Sequence, residues 1–387
     1  MQTRRKTITG CVIAAVVAII LLLAIRWIYG KPAPTSTALS KPPQILARKL
    51  DHPMQPSRVT TPPASQAGTA AAKPQPHVCG MDGLPRTVTD ANEVGQYVFD
   101  TSRETYDRWK TELIGGSDVR ARAVGLSLQR LDDISARSLA ADTSLEQLVE
   151  LATTAREPVV YGIAVGVCKT GLADDAVPAC RRLSVSEWAK IDPDNAVPWL
   201  ANAAAARDNG DGWAESVAFA RAAQTHKVDN YSDAGLSAAL AALPADAARA
   251  ERTAVEAHLI GYDAALARPD IIEVSRYCSA TALQQSQIHD QCDAVAQLLL
   301  DHGGTLLNFS LGRSIGQRLG WAAVRLDDLA RERDALLNLL APNGDEEWSC
   351  NYMAREDEFV QRRAQVGELA ALRELRGKRV QPGQPSQ

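Results

Sequence analysis

The sequence predicts an all-α protein: an α-solenoid-like stack of antiparallel helix pairs, preceded by one transmembrane helix and a disordered Pro-rich stalk. Three observations carry that expectation. Aromatic residues make up 5% of the chain, with four Phe, so an interior must be packed mainly by Ala, Leu and Val, as helices do well. After Cys79, apolar residues recur at helical spacing in segments of ten to twenty residues, divided by Gly, Pro, Asp and Asn, and strand-like alternation is almost absent. Near the start, no charged side chain interrupts the stretch from Ile8 to Ile25.

The apolar stretch comes first in the chain. Residues 8–29 are long enough to span a bilayer, with Trp27, Ile28 and Tyr29 as an interfacial belt and Arg26 able to snorkel. A cleavable signal peptide would need small residues at a nearby cleavage site; Ile28 and Gly30 fit poorly, and Ser36 with Ala38 lies too far downstream. An uncleaved signal anchor is therefore expected, with residues 1–7 as a cytoplasmic tail. Arg4, Arg5 and Lys6 favour that orientation against Arg26, Lys31 and Lys41. The expected address is the inner membrane, crossed once, with the C-terminal domain in the periplasm.

Residues 30–77 contain ten prolines from Pro32 to Pro76 among Ala, Ser, Thr and Gln. Proline removes an amide donor and fixes its own φ, so the segment reads as an extended linker. Charge divides the chain in the same way. Removing the +4 of residues 1–30 and the +5 of residues 31–77 from the net −4 leaves −13 on the rest, which disfavours nucleic acid as a partner.

The expected folded domain covers residues 78–377, with residues 378–387 as a disordered tail. Val124, Leu126, Leu128 and Leu131 line one helical stretch, and Leu145, Leu148, Val149 and Leu151 the next. The second stretch is opened by Thr143 and Ser144, with Glu146 and Gln147 at capping-box distance. Further helices are expected near 157–169, 175–191, 196–208, 213–225, 244–263, 281–301, 305–319, 321–340 and 351–376. Cys11 lies in the membrane span, which leaves six cysteines for an exported domain. Cys168 with Cys180 and Cys278 with Cys292 each flank one helix junction, leaving Cys79 for Cys350; six cysteines allow fifteen connectivities, so spacing alone does not decide.

From Trp188 to Asn195 the chain reads W-A-K-I-D-P-D-N, followed by Ala196, Val197, Pro198, Trp199 and Leu200. With Phe219 and Ala222 at matching spacings, residues 186–225 resemble a tetratricopeptide-type helical repeat, although Glu215 and Lys227 stand where that pattern has a small residue and a Pro. The resemblance covers about a tenth of the chain. It implies a concave groove lined by the first helix of the pair, with Trp199 packing inward and Leu200, Ala204, Arg207 and Asp208 facing the groove. Arg207 and Asp208 are the polar candidates for holding a partner, an envelope protein or peptide. The competing reading of these two is helix capping before Asn209 and Gly210.

Signs of catalysis do not survive their context. Gly312 to Gly316 spells G-x-S-x-G, but no strand precedes it and the last His, His302, lies upstream of Ser314. Gly312, Gly316 and Gly320 read better as a small-residue ladder for close helix approach. Cys278, His289 and Cys292 lack a fourth zinc ligand at a recognised spacing. His226, His258 and His302 stand alone and read as surface or capping residues. Asp132 with Asp133, Glu346 with Glu347, and Glu356 to Glu358 read as solvated faces, since adjacent helical side chains diverge. No cofactor is expected. The leading expectation is a scaffold that binds protein or peptide; the alternative is a cell-envelope enzyme, for example one active on peptidoglycan, with unrecognised catalytic residues.

Overall fold

The computed structural model describes residues 78, 79, 81, 84, 85, 88, 91–135, 142–169, 178–244, 246–266, 268–340 and 349–380. The anchor at 8–29 and the linker at 30–77 lie outside them, as do residues 381–387. Among the described residues, no helix is long and apolar enough to cross a membrane. They form α-helices joined by turns and short 3₁₀ segments, with two isolated β-bridges.

In chain order the helices are α1 (Ala91–Thr101), α2 (Arg103–Gly115), α3 (Val119–Ser135), α4 (Asp142–Ala155), α5 (Pro158–Lys169), α6 (Val185–Ile191), α7 (Ala196–Asp208) and α8 (Gly212–Ala222). They continue as α9 (Ser232–Ala241), α10 (Arg249–Ala265), α11 (Pro269–Tyr277), α12 (Ser286–His302), α13 (Leu306–Arg318), α14 (Ala323–Leu340), α15 (Cys350–Val366) and α16 (Glu368–Val380). Sequence neighbours pack as pairs, with α2 on α3, α3 on α4, α7 on α8, α12 on α13 and α15 on α16.

Local chemistry explains several boundaries. Ser184, Asn195, Asp211, Thr305 and Ser349 each accept a hydrogen bond from a backbone N–H in the first turn of the helix they precede. Gly367 adopts φ 89°, a conformation that favours glycine, and it divides the expected helix 351–376 into α15 and α16. α16 then runs to Val380, past the expected domain end at 377. α4 opens at Asp142, ahead of the expected cap at Thr143 and Ser144. Helices α9 and α11 lie where no helix was expected; both are short, and α9 is rich in small residues that give weak periodicity.

The glycine ladder needs correction. A Cβ on Gly312 would lie 2.8 Å from the Ala296 carbonyl oxygen, so α13 does approach α12 closely there. Gly316 instead makes room for Trp321 just beyond its own helix, and Gly320, at φ 77°, ends that helix in the left-handed region. Ser314 lies inside α13, not on a strand-to-helix turn.

One large apolar core runs from Tyr106 and Trp109 on α2 to Leu369 and Leu372 on α16. A smaller one joins Val78, Cys79, Leu84, Val88, Val94 and Val98 to Ala250 and Ala254 of α10 and Met353 of α15. Long-range contacts complete the fold. Trp109 Nε1 donates to the Ala239 carbonyl at 3.0 Å, α9 packs on both α3 and α15, and α10 packs on α1 and α15. Sulfur atoms of Cys79 and Cys350, Cys168 and Cys180, and Cys278 and Cys292 lie 2.04, 1.96 and 2.06 Å apart, respectively. The bond between Cys278 and Cys292 occupies both thiols of the considered zinc set, and His289 beside them meets Asp290 at 3.7 Å.

Candidate binding site

The region that resembles a tetratricopeptide unit is built around Asn195. This buried residue caps α7, and its side chain makes four hydrogen bonds. Its Nδ2 donates to the Asp229 carbonyl at 2.7 Å and to the Tyr231 hydroxyl at 3.1 Å. Its Oδ1 accepts from the amides of Asp229 and Val197 at 3.0 and 3.3 Å. The amide of Ala196 also donates to the Lys227 carbonyl at 2.8 Å. The start of α7 is thereby tied to the segment after α8, which fixes the pair at both ends.

The implied helix faces hold only in part: Trp199 packs against the core as implied, but Leu200 and Ala204 do not face an open groove. Trp199 is half-buried and its Nε1 donates to the Pro193 carbonyl at 2.8 Å, while Leu200 and Ala204 are buried. The reason is α11, which packs against α7 where an open groove was expected. The stacked rings of Phe219 on α8 and Tyr277 on α11, with centroids 3.9 Å apart, hold the three helices together.

Arg207 and Asp208 do come together, with Arg207 Nη2 2.6 Å from Asp208 Oδ1. Arg207 also donates to Glu273 of α11, whose side chain is fully buried. Arg276 reaches Glu273 at 3.5 Å and Glu215 at 3.2 Å. Burial pushes the Glu273 carboxyl up to about 7, against the pull of Arg207 and Arg276 and with help from Glu215. Arg207 thus neutralises a buried acid as well as standing at a surface.

That surface has two clefts with Arg207 between them. The smaller, about 190 Å³, is lined by Lys169, Val185, Ala201, Ala204 and Ile272. The larger, about 470 Å³, is lined by Gly212, Glu215, Ser216, Arg276, Tyr277 and Gln285. Large apolar side chains stand exposed beside them: Trp213 at 77% and Ile272 at 64%, with Val217 one turn along α8 from Trp213. A Trp left this open contributes little to folding and offers a large rigid surface to a partner.

Elsewhere the acidic clusters meet separate partners. Lys110 binds Asp132, Gln129 donates to Asp133 at 2.8 Å, and Lys378 pairs with Glu358. Glu346 and Glu347 lie outside the described residues. Among the described residues, no group of three or more His, Cys, Asp or Glu is arranged to hold a metal. His258 departs from the surface role expected of it: its ring lies between Phe99 and Tyr106, with centroids 4.8 and 4.5 Å away, and burial lowers its pKa.

Sequence reasoning missed two polar contacts that join α10 to α15. Arg363 Nε donates to Asp233 at 2.7 Å and its Nη2 to Asp263 at 3.0 Å, with Glu368 3.9 Å away. Six residues earlier on α15, Asp357 faces Glu256, which is 2% exposed. Both Glu256 carboxyl oxygens and Asp357 Oδ1 are buried without a hydrogen-bond partner. Burial, and then the Asp357 charge, push Glu256 up to about 8. The partners are more than ninety residues apart in sequence, so no local motif marks them.

Compared with models of known protein families, with curated proteins and with solved structures, the chain matches none.

Proposed function

We propose that this chain is a membrane-anchored periplasmic scaffold, with an α-solenoid-like, tetratricopeptide-like domain that binds an envelope protein or peptide on the surface formed by α7, α8 and α11. The observation that carries the reading is the exposure of Trp213 and Ile272 beside two clefts that meet at Arg207. Arginine and tryptophan are the residue types that most often anchor protein interfaces. Glu215, Ser216, Tyr277 and Gln285 in the larger cleft supply donors and acceptors for a peptide backbone.

The test compares the chain with Trp213→Ala and Ile272→Ala variants against partners captured from envelope extract and then purified. The reading requires at least a tenfold loss of affinity in one of them. Equal affinity in both variants would move the binding surface elsewhere. The anchor is tested separately, by an alkaline phosphatase fusion after residue 80, which should be active.

A further inference from the structure

The three disulfides differ in how far solvent reaches them. Cys278 and Cys292 are both fully buried, and Cys168 is buried beside a half-buried Cys180. Cys350 is exposed, although its partner Cys79 is covered. Thiol–disulfide exchange needs a thiolate to reach one of the two sulfur atoms, so access singles out the bond between Cys79 and Cys350. Cys350 is also the first residue of α15, a helix of 17 residues. The N–H groups of a first helical turn have no acceptor within the helix and stabilise a thiolate there, which makes Cys350 a good leaving group.

What the bond holds is a seam between α10 and the start of α15. Cys79 belongs to the smaller core, where Val78, Leu84 and Val88, with Val94 and Val98 of α1, meet Ala250 and Ala254 of α10. Among the buried residues of that core, α15 contributes Met353 alone, one turn beyond Cys350. One further turn along α15, Asp357 faces Glu256, and three of their carboxyl oxygens are buried without a hydrogen-bond partner. Acids buried in that state oppose closure of the seam. The ion pairs that favour closure, Arg363 with Asp233 and Asp263, lie six residues beyond Asp357. Charge therefore fixes the later part of α15, while its start depends on the covalent bond.

We propose that the bond between Cys79 and Cys350 is a redox switch, opened by a dithiol reductant of the C-x-x-C class, and that its opening frees α1 and the start of α15 from α10. One thiolate of the reductant attacks the exposed Cys350 sulfur and expels the Cys79 sulfur as a thiolate, which takes a proton. The second thiolate of the reductant attacks the reductant's own sulfur in the mixed disulfide and expels Cys350 as a thiolate at the head of α15. Two electrons and two protons pass to this chain, which gains two thiols, and the dithiol becomes a disulfide. The bonds Cys168–Cys180 and Cys278–Cys292 stay closed, so the junctions after α5 and between α11 and α12 keep their staples.

The experiment treats the full chain with dithiothreitol under native conditions, blocks free thiols at intervals and locates them by mass. Cys79 and Cys350 should be labelled at least tenfold faster than Cys168, Cys180, Cys278 and Cys292. Amide hydrogen exchange on the same samples should speed up at least tenfold in α1 and from Cys350 to Asp357, and stay unchanged in α7 and α8. Cys350→Ser should reproduce that exchange pattern without reductant; if this variant fails to fold, the reduction course of the parent chain decides. Reduction of either other bond at a similar rate would overturn the switch. So would reduction of Cys79–Cys350 with no change in exchange, which would make the bond a passive staple.

Discussion

The pair α7–α8 and the pair α10–α15 are both packed helices, yet opposite chemistries hold them. α7 and α8 are joined by a turn of three residues, capped by Asn195 and Asp211, and meet through Ala201, Ala203, Ala218, Phe219 and Ala222. α10 and α15 are separated by more than eighty residues and run parallel, since Ala250 and Ala254 cluster with Met353, Glu256 meets Asp357, and Asp263 meets Arg363. The first pair is held by small apolar contacts near in sequence. The second depends on ionisable groups that converge only when the chain is folded, Arg363 with Asp263 as a charge match and Glu256 with Asp357 as two acids. Damage to a charge match should therefore cost more than damage to a surface contact near α7 and α8.

The largest effect is expected from Arg363→Ala. It removes the cation shared by Asp233, Asp263 and Glu368 while leaving three mostly covered acids without it, and should cost about 3 kcal/mol in denaturant unfolding. Adding Asp233→Asn should recover part of the loss, since one stranded charge is then gone. Recovery distinguishes the charge match from lost packing by the arginine stem.

Next comes a pH effect at Glu256. Between about 4.5 and about 8 the unfolded chain releases this proton while the folded chain keeps it, so the group's contribution to stability falls as pH rises through that window and is constant above it. Glu256→Gln keeps the shape without the titration. At pH 9 it should be more stable than the parent chain, by up to about 5 kcal/mol, and at pH 4 the two should be nearly equal. Equal destabilisation by Gln at both pH values would show that folded Glu256 does not keep its proton through this window.

Arg207→Ala tests the boundary between the two kinds of contact, because Arg207 stands at the clefts yet pairs with buried Glu273. Loss of about 2–3 kcal/mol is expected, with Arg276 left as a more exposed substitute. A pure groove residue would leave the melting temperature unchanged. The smallest effect belongs to Trp213→Ala, within about 0.5 kcal/mol by the same measurement, since the ring is mostly in water.

What could be read from the sequence follows the same division. The helical class, the position of α7 with its Asn195 start, and the turn at Asp211 are encoded locally by periodicity and capping chemistry. The faces of α7 were not, because α11 decides which side is buried, and its nine residues from Pro269 to Tyr277 give too short a pattern to register. The same limit hid Arg363: an Arg on a polar helix face looks solvated until α9 and α10 bring Asp233 and Asp263 to it. Glu256, amid Ala254, Val255, Ala257 and Leu259, gave no signal of a partner, and Asp357 read as part of a solvated acidic face from Glu356 to Glu358.

The bond between Cys79 and Cys350 has a mechanical consequence. It closes a covalent loop with a sequence separation of 271 residues. Tension applied between Val78 and Val380 passes from Cys79 directly into the first residue of α15 and bypasses everything in the loop. In a single-molecule pull, α15 and α16 alone should lengthen while the bond is intact. Reduction should release the loop and add roughly 900 Å of contour length at about 3.3–3.6 Å per residue. Most of the domain, including the surface formed by α7, α8 and α11, is therefore insulated from force along the chain as long as that one bond remains oxidised.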